Sequence, residues 1–138
     1  MVAPFVDTNV LVYLISADAK KAARAEQVLA GRITLSVQVL NEFANVARRK
    51  AGKAGMAWPV LTQLLADIRQ FADVRPLTLA THETALTLAA RYQLAWYDAL
   101  IAAAALEAGC DTLLSEDFQN GQILEGLEKR LTIRNPFV

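Results

Sequence analysis

Short apolar runs separated by helical stretches constrain this chain more than any other feature. Ala3 to Val6, Ile33 to Val37, Val74 to Leu79, Thr112 to Leu114 and Leu131 to Ile133 are brief and apolar, and the second alternates at strand period. They predict a sheet of four or five short strands, with Pro76 confining the third run to an edge. Helical spacing fills the intervals. Asn9 to Ile15 predicts one helix, and Asp18 caps a second that Gly31 closes after about Ala30. Ser36 starts a third, Gln38 to about Lys50, which ends near Gly52. Trp58 to Ala72 carries Leu61, Leu64, Leu65, Ile68 and Phe71 on one stripe. Thr81 caps Glu83 to Tyr92, and Asp98 opens a helix that Gly109 ends after Ala108. That last helix is apolar nearly all round, so it has to lie between the sheet and another layer. Strands alternating with helices in this way predict one α/β domain over residues 1–138, its parallel sheet covered on both faces.

Composition agrees with a buried sheet. Of 138 residues, 54% are hydrophobic and 20% charged, an apolar surplus that argues against disorder and suits a buried sheet or a surface made for another chain. The longest apolar stretch, Ala99 to Leu106, is far short of the ~20 residues a membrane helix needs. No basic leader precedes Asp7, so the expected location is the cytoplasm. Cys110 is the only cysteine, which excludes an internal disulfide and is expected to be a small buried apolar residue. Fourteen basic and fourteen acidic side chains cancel, an awkward balance for a protein that meets phosphates. The basic residues are nevertheless grouped. Arg48, Arg49, Lys50 and Lys53 form one block, and Lys20, Lys21 and Arg24 another. Each block is either a solvated helix end or a phosphate contact.

Four acids carry the chemistry. Asp7 ends the first strand, Asp117 follows the strand Thr112 to Leu114, and Asp98 sits at a helix start facing the same edge. Ligands of open α/β sheets bind beyond the carboxyl ends of the strands, where the strand order switches. Singly, Asp7 and Asp98 are explained as a cap and a first-turn charge, and Asp117 as a turn residue. Glu42 is harder to explain so. It lies at the rim of a helix face formed by Val39, Leu40, Phe43, Val46 and Ala47, with no basic residue one turn before it. Four carboxylates brought together repel unless a divalent cation lies between them, and Mg²⁺ and Mn²⁺ prefer oxygen ligands. Other chemistries fail on inventory. One cysteine and one histidine, His82, cannot build a closed zinc site. Ser36 and Ser115 have no histidine base to use, and no glycine-rich phosphate loop is present. His82 is expected at the surface, and Trp58 and Trp96 in the core.

The segments Val6-Asp7-Thr8-Asn9, Gln38-Val39-Leu40-Asn41-Glu42-Phe43, Tyr97-Asp98-Ala99-Leu100-Ile101 and Leu113-Leu114-Ser115-Glu116-Asp117-Phe118 resemble those of PIN-domain ribonucleases. Their order and spacing are more closely similar to the VapC toxins of bacterial type II toxin–antitoxin pairs. The resemblance runs from Asp7 to Asn135-Pro136-Phe137. It implies an α/β/α sandwich around a parallel sheet, a homodimer, and an acidic pocket for one or two Mg²⁺ or Mn²⁺ ions that cleaves structured RNA. By position Asp7, Glu42, Asp98 and Asp117 are the acids, with Asp7 and Asp98 on the metal and Asp117 and Glu42 completing the site or placing water. Thr8, Asn9 and Ser115 are supports, and Ser115 stands where many relatives have threonine. Asn120 stands where several have histidine, and no role is carried over to it. Cleavage would leave a 5′-phosphate and a 3′-hydroxyl, with the basic blocks holding the flanks of the RNA. A VapB antitoxin would lay an apolar segment in a groove and point an arginine at the acids.

Rival readings are weaker. A haloacid dehalogenase-type enzyme wants a second aspartate where Asn9 stands, and a receiver domain wants paired early acids and a late lysine. A PIN fold that binds RNA or protein without cutting remains the alternative.

Overall fold

The structure, a computed structural model, describes residues 2–50 and 55–138. Lys53 and the helix end expected near Gly52 lie outside the described residues, as does the side chain of Lys50. Strands β1 (Phe5–Val6), β2 (Ile33–Ser36), β3 (Ala72–Arg75), β4 (Thr112–Leu114), β5 (Ile123–Gly126) and β6 (Lys129–Arg134) form one sheet in the order β3-β2-β1-β4-β6-β5. All neighbours are parallel except β5 and β6. The architecture is the expected α/β/α sandwich, with a sixth strand that the sequence did not announce. β5 has a burial pattern in which only Leu124 is fully inside, so its apolar signal is too thin to read as a strand alone. Pairing with β6 is what makes it one.

The helices are α1 (Thr8–Val12), α2 (Ala19–Val28), α3 (Val37–Lys50), α4 (Trp58–Phe71), α5 (Leu79–Tyr92) and α6 (Trp96–Glu107), with a 3-10 turn at Tyr13–Ile15. Three expectations need correction. The third strand is Ala72–Arg75 and stops before Pro76, because a proline cannot extend the ladder. It is an edge strand, as the proline implied. The fifth helix begins at Leu79 and its cap is Thr78, with Thr81 reaching back to the cap as the other half of a capping box. Trp58 is 62% exposed rather than buried, its ring lying under the Arg48 guanidinium at 4.0 Å.

Helix α6 fulfils the requirement set by its composition. Ala99 and every residue from Ile101 to Leu106 are buried, between α5 and the sheet. The small alanines let backbone layers approach closely, and Gly126 of β5 belongs to the same contact: a Cβ there would meet Leu106 Cδ1 at 3.1 Å. The helix ends in a Schellman arrangement, with Gly109 N–H on the Leu106 carbonyl, Cys110 N–H on that of Ala105, and Gly109 at φ +80°. Cys110 is buried as expected, its thiol donating to the Ala3 carbonyl.

Strand β1 sits mid-sheet, with Phe5 and Val6 fully buried. The chain moves from it to β2 on one side and later returns through β4 on the other. Its register pairs Val6 with Leu114, so the next residues, Asp7 and Ser115, emerge side by side at the switch in strand order.

Candidate metal centre and its surroundings

Four elements meet at that switch. Asp7 leaves β1 in extended conformation and caps α1, its Oδ1 accepting the Thr8 N–H at 2.7 Å. Asp98 projects from the first turn of α6. Asp117 follows β4 in the loop after Ser115. One oxygen from each of Asp7, Asp98 and Asp117 lies within 4.8 Å of the others. Asp7 is buried, Asp98 partly so, and Asp117 exposed, so the cluster opens to solvent on one side.

Ser115 joins two of these acids. Its fully buried hydroxyl donates to Asp7 Oδ2 at 2.7 Å and accepts the Asp117 N–H at 3.1 Å. Asn9 donates to both Ser115 Oγ and Asp7 Oδ2, while its carbonyl oxygen receives the Glu116 N–H. The DTN sequence therefore does two things: aspartate starts the helix, and the asparagine two residues on ties β1 to the loop after β4.

Glu42 has a different position. It is not a member of the set that approaches within 4.8 Å. Its Oε1 accepts from Thr8 Oγ1 at 3.0 Å and from Gln38 Nε2 at 3.1 Å. Gln38 takes the place of a basic residue one turn before Glu42, since an amide at i−4 satisfies a carboxylate without a charge. The same Nε2 also donates to the Tyr97 carbonyl, linking α3 to the start of α6 beside Asp98.

Crowding shows in the acidities. Burial pushes the Asp7 carboxyl up to about 7, against the lowering effect of the Ser115 and Thr8 hydrogen bonds, and the charges of Asp117 and Asp98 push it further. Burial also raises Asp98, followed by the Asp117 and Glu42 charges. Two unit charges at such separations repel by roughly 1–3 kcal/mol between water-like and near-surface dielectrics. The donor set fits a hard dication: all oxygen, anionic, convergent and open on one side. None of the three acids forms an ion pair with an arginine or lysine among the described residues.

The basic residues are more occupied than their sequence blocks imply. Arg48 donates to the Met56 carbonyl at 2.6 Å and covers Trp58. Arg24 donates to the Pro136 carbonyl, and Lys21 donates to the Tyr13 hydroxyl and faces Glu116 at 3.7 Å. Arg49 and Lys20 are exposed. Asn120 accepts the Asn135 N–H at 2.9 Å. His82 lies at the surface of α5 with its ring edge-to-face on the half-buried Trp96.

Comparison with known proteins bears on this geometry. A family model for the PIN domain matches residues 5–120. The fold is shared with VapC20 of Mycobacterium tuberculosis, described as a Sarcin-Ricin loop cleaving toxin: 22% identity, TM-score 0.68, covering 90% of this chain and 98% of that one. It is also shared with a toxin-antitoxin complex from Klebsiella pneumoniae, at 18% identity and TM-score 0.71 over 97% of this chain and 98% of that one. FitAcB from Neisseria gonorrhoeae is similar at 20% identity and TM-score 0.66, covering 96% and 97% of the two chains. A search of curated proteins gives no match. With the family model spanning strand β1 through the loop after β4, which includes every acid of the cluster, the chain belongs to the PIN-domain family.

Proposed function

We propose that this PIN domain is a metal-dependent endoribonuclease toxin that hydrolyses phosphodiester bonds in structured RNA, tRNA or rRNA, and is silenced by a VapB-type antitoxin. The observation that carries the reading is the convergence of Asp7, Asp98 and Asp117, three acids without a basic partner among the described residues, at the carboxyl edge of a mostly parallel sheet. Structural neighbours that are toxins or toxin–antitoxin complexes support the biological setting, and the Sarcin-Ricin loop cleaving toxin among them supports structured RNA as the substrate class.

Asp7, Asp98 and Asp117 would hold Mg²⁺ or Mn²⁺, one or two ions per site. Such an ion, when bound, makes water a competent nucleophile at neutral pH and offsets charge on the phosphoryl oxygens. The chain's own residues do the rest. Ser115, Asn9 and the Thr8 N–H orient both oxygens of Asp7. Gln38 and Thr8 hold Glu42 beside the cluster, where its carboxylate would complete the site or position the attacking water. Without a cation the cluster repels RNA, so the cation favours binding and cleavage depends on it. Exposed cations such as Arg49 and Lys20, with Arg48, Lys50 and Lys53 of the same block, would hold RNA flanks. A cytoplasmic homodimer, its apolar surface shared between a second copy and the antitoxin, completes the proposal.

The test is cleavage of a structured RNA by the purified chain with Mg²⁺ or Mn²⁺, with chelator controls and the Asp98→Asn variant. Cation-dependent cutting with 5′-phosphate ends that disappears in the variant is the expected result. Equal cutting by the variant would assign the activity to a contaminant. RNA binding with no cutting by the wild type would leave a PIN-fold binding module.

A further inference from the structure

Beside the acids, and sharing Glu42 with them, lies a second recess. Gln38, Asn41, Glu42, Asn45, Leu77 and Tyr97 line a cavity of about 470 Å³, within the range of small-molecule sites (~300–1,000 Å³). Gln38, Asn41, Glu42 and Asn45 fall at i, i+3, i+4 and i+7 of α3, so one helix face presents three carboxamides in a row. Facing them is Tyr97, the residue immediately before Asp98 and 65% exposed.

Intramolecular hydrogen bonds account for Gln38 and Glu42, and among the described residues none accounts for Asn41, Asn45 or the Tyr97 ring. A large aromatic ring at a helix start gains nothing from water, and Asn41 and Asn45 are poor helix formers at exposed positions. Gln38 is 6% exposed, and both of its Nε2 hydrogen bonds are directed within the chain, to Glu42 and to the Tyr97 carbonyl. Its Oε1 is a buried acceptor with no partner among the described residues. The Glu42 carboxylate on the wall disfavours an anionic group. A planar, uncharged ligand with hydrogen-bonding edges satisfies every wall at once. Unpaired nucleobases are recognised in that way, by stacking on an aromatic ring and by edge contacts to amides.

We propose that this recess is a nucleobase subsite: an unstacked base next to the scissile phosphate stacks on Tyr97 and is read by Asn41 and Asn45. The proposal rests on the nuclease reading above and adds where base preference comes from. A peptide of a protein partner is the competing occupant, but the row of carboxamides, which both donate and accept, suits a base edge better than an apolar peptide face.

The experiment measures binding of four hexaribonucleotides, oligo-A, oligo-C, oligo-G and oligo-U, to the full chain carrying Asp98→Asn, which removes cleavage and one negative charge. In that background Tyr97→Ala should weaken the preferred oligonucleotide about tenfold, Tyr97→Phe should leave it within twofold, and Asn41→Leu with Asn45→Leu should collapse the spread among the four sequences. In parallel, an RNA of random sequence is cut with Mn²⁺ by chains with intact acids, and the 5′ ends are sequenced. The double asparagine variant should still cut, with a flattened base preference at a position flanking the break. Unchanged affinities in Tyr97→Ala, or an unchanged preference in the double variant, would overturn the subsite while cutting by both chains left the nuclease intact. Failure of the wild type to cut any RNA would instead remove the nuclease reading, and the subsite with it.

Discussion

Ser115 shows how one buried hydroxyl organises a site whose acids come from distant parts of the chain. It binds Asp7 and the Asp117 backbone together, so its loss is felt at two carboxylates. The acids themselves are held against their charge. In Asp7→Asn the cap oxygen survives and the buried charge does not, so metal-free stability at pH 7 should rise by roughly 1–3 kcal/mol, measured by urea denaturation. The sign with pH follows from the shift. Asp7 in the unfolded chain loses its proton near 3.8, and in the folded chain only near 7. Between these values the folded state binds more protons, so the stability contributed by Asp7 is full below about pH 4 and falls as pH rises to 7. The wild type minus Asp7→Asn difference isolates that slope, and a flat difference would mean that Asp7 is not held protonated. Activity should rank the acids by position. Asp98→Asn is expected to lower the cleavage rate at least a hundredfold, and Glu42→Gln, which keeps its bonds to Thr8 and adjoins the cluster rather than joining it, about tenfold.

At the scale of elements, the terminal signals worked where local chemistry decides and failed where a neighbour decides. Asp18 caps α2 and Gly109 ends α6 as read, since both depend on side-chain or φ requirements of their own residue. Gly109→Ala should accordingly cost about 1 kcal/mol through its left-handed conformation. The cap of α5 was misplaced onto Thr81 because Thr78 and Thr81 both fit, and only the reciprocal pair in the fold tells them apart. The hairpin between β5 and β6 was missed for another reason. Its turn residues, Leu127 and Glu128, both have positive φ, at 53° and 59°, where Asn-Gly is the usual choice. Leu127→Asn with Glu128→Gly should therefore stabilise the chain by about 1 kcal/mol in thermal or urea unfolding, since it removes strain without touching the core. An unchanged midpoint would show that strand pairing, and not the turn, limits that hairpin.

For the molecule as a whole, a cation held by the cluster would link binding to folding. A divalent ion that binds only the assembled cluster stabilises it by about 2.7 kcal/mol at a hundredfold excess over its Kd. Mn²⁺ should raise the melting temperature of the wild type and leave that of Asp7→Asn or Asp98→Asn nearly unmoved; an equal rise in all three would place the ion elsewhere. What the sequence determined by itself is the layered α/β plan and the candidate acids, because apolar period, caps and residue chemistry are local properties. It also determined that α6 must be enclosed, since no face of it is polar. Only the tertiary structure decided which acids converge and which stand beside them. Parallel register set Asp7 next to Ser115, the packing of α3 on α1 gave Glu42 to Thr8, and Lys21, Arg24 and Arg48 found partners that no one-dimensional pattern records. Distances between residues a hundred positions apart are fixed by strand pairing and layer packing, and those are properties of the assembled chain.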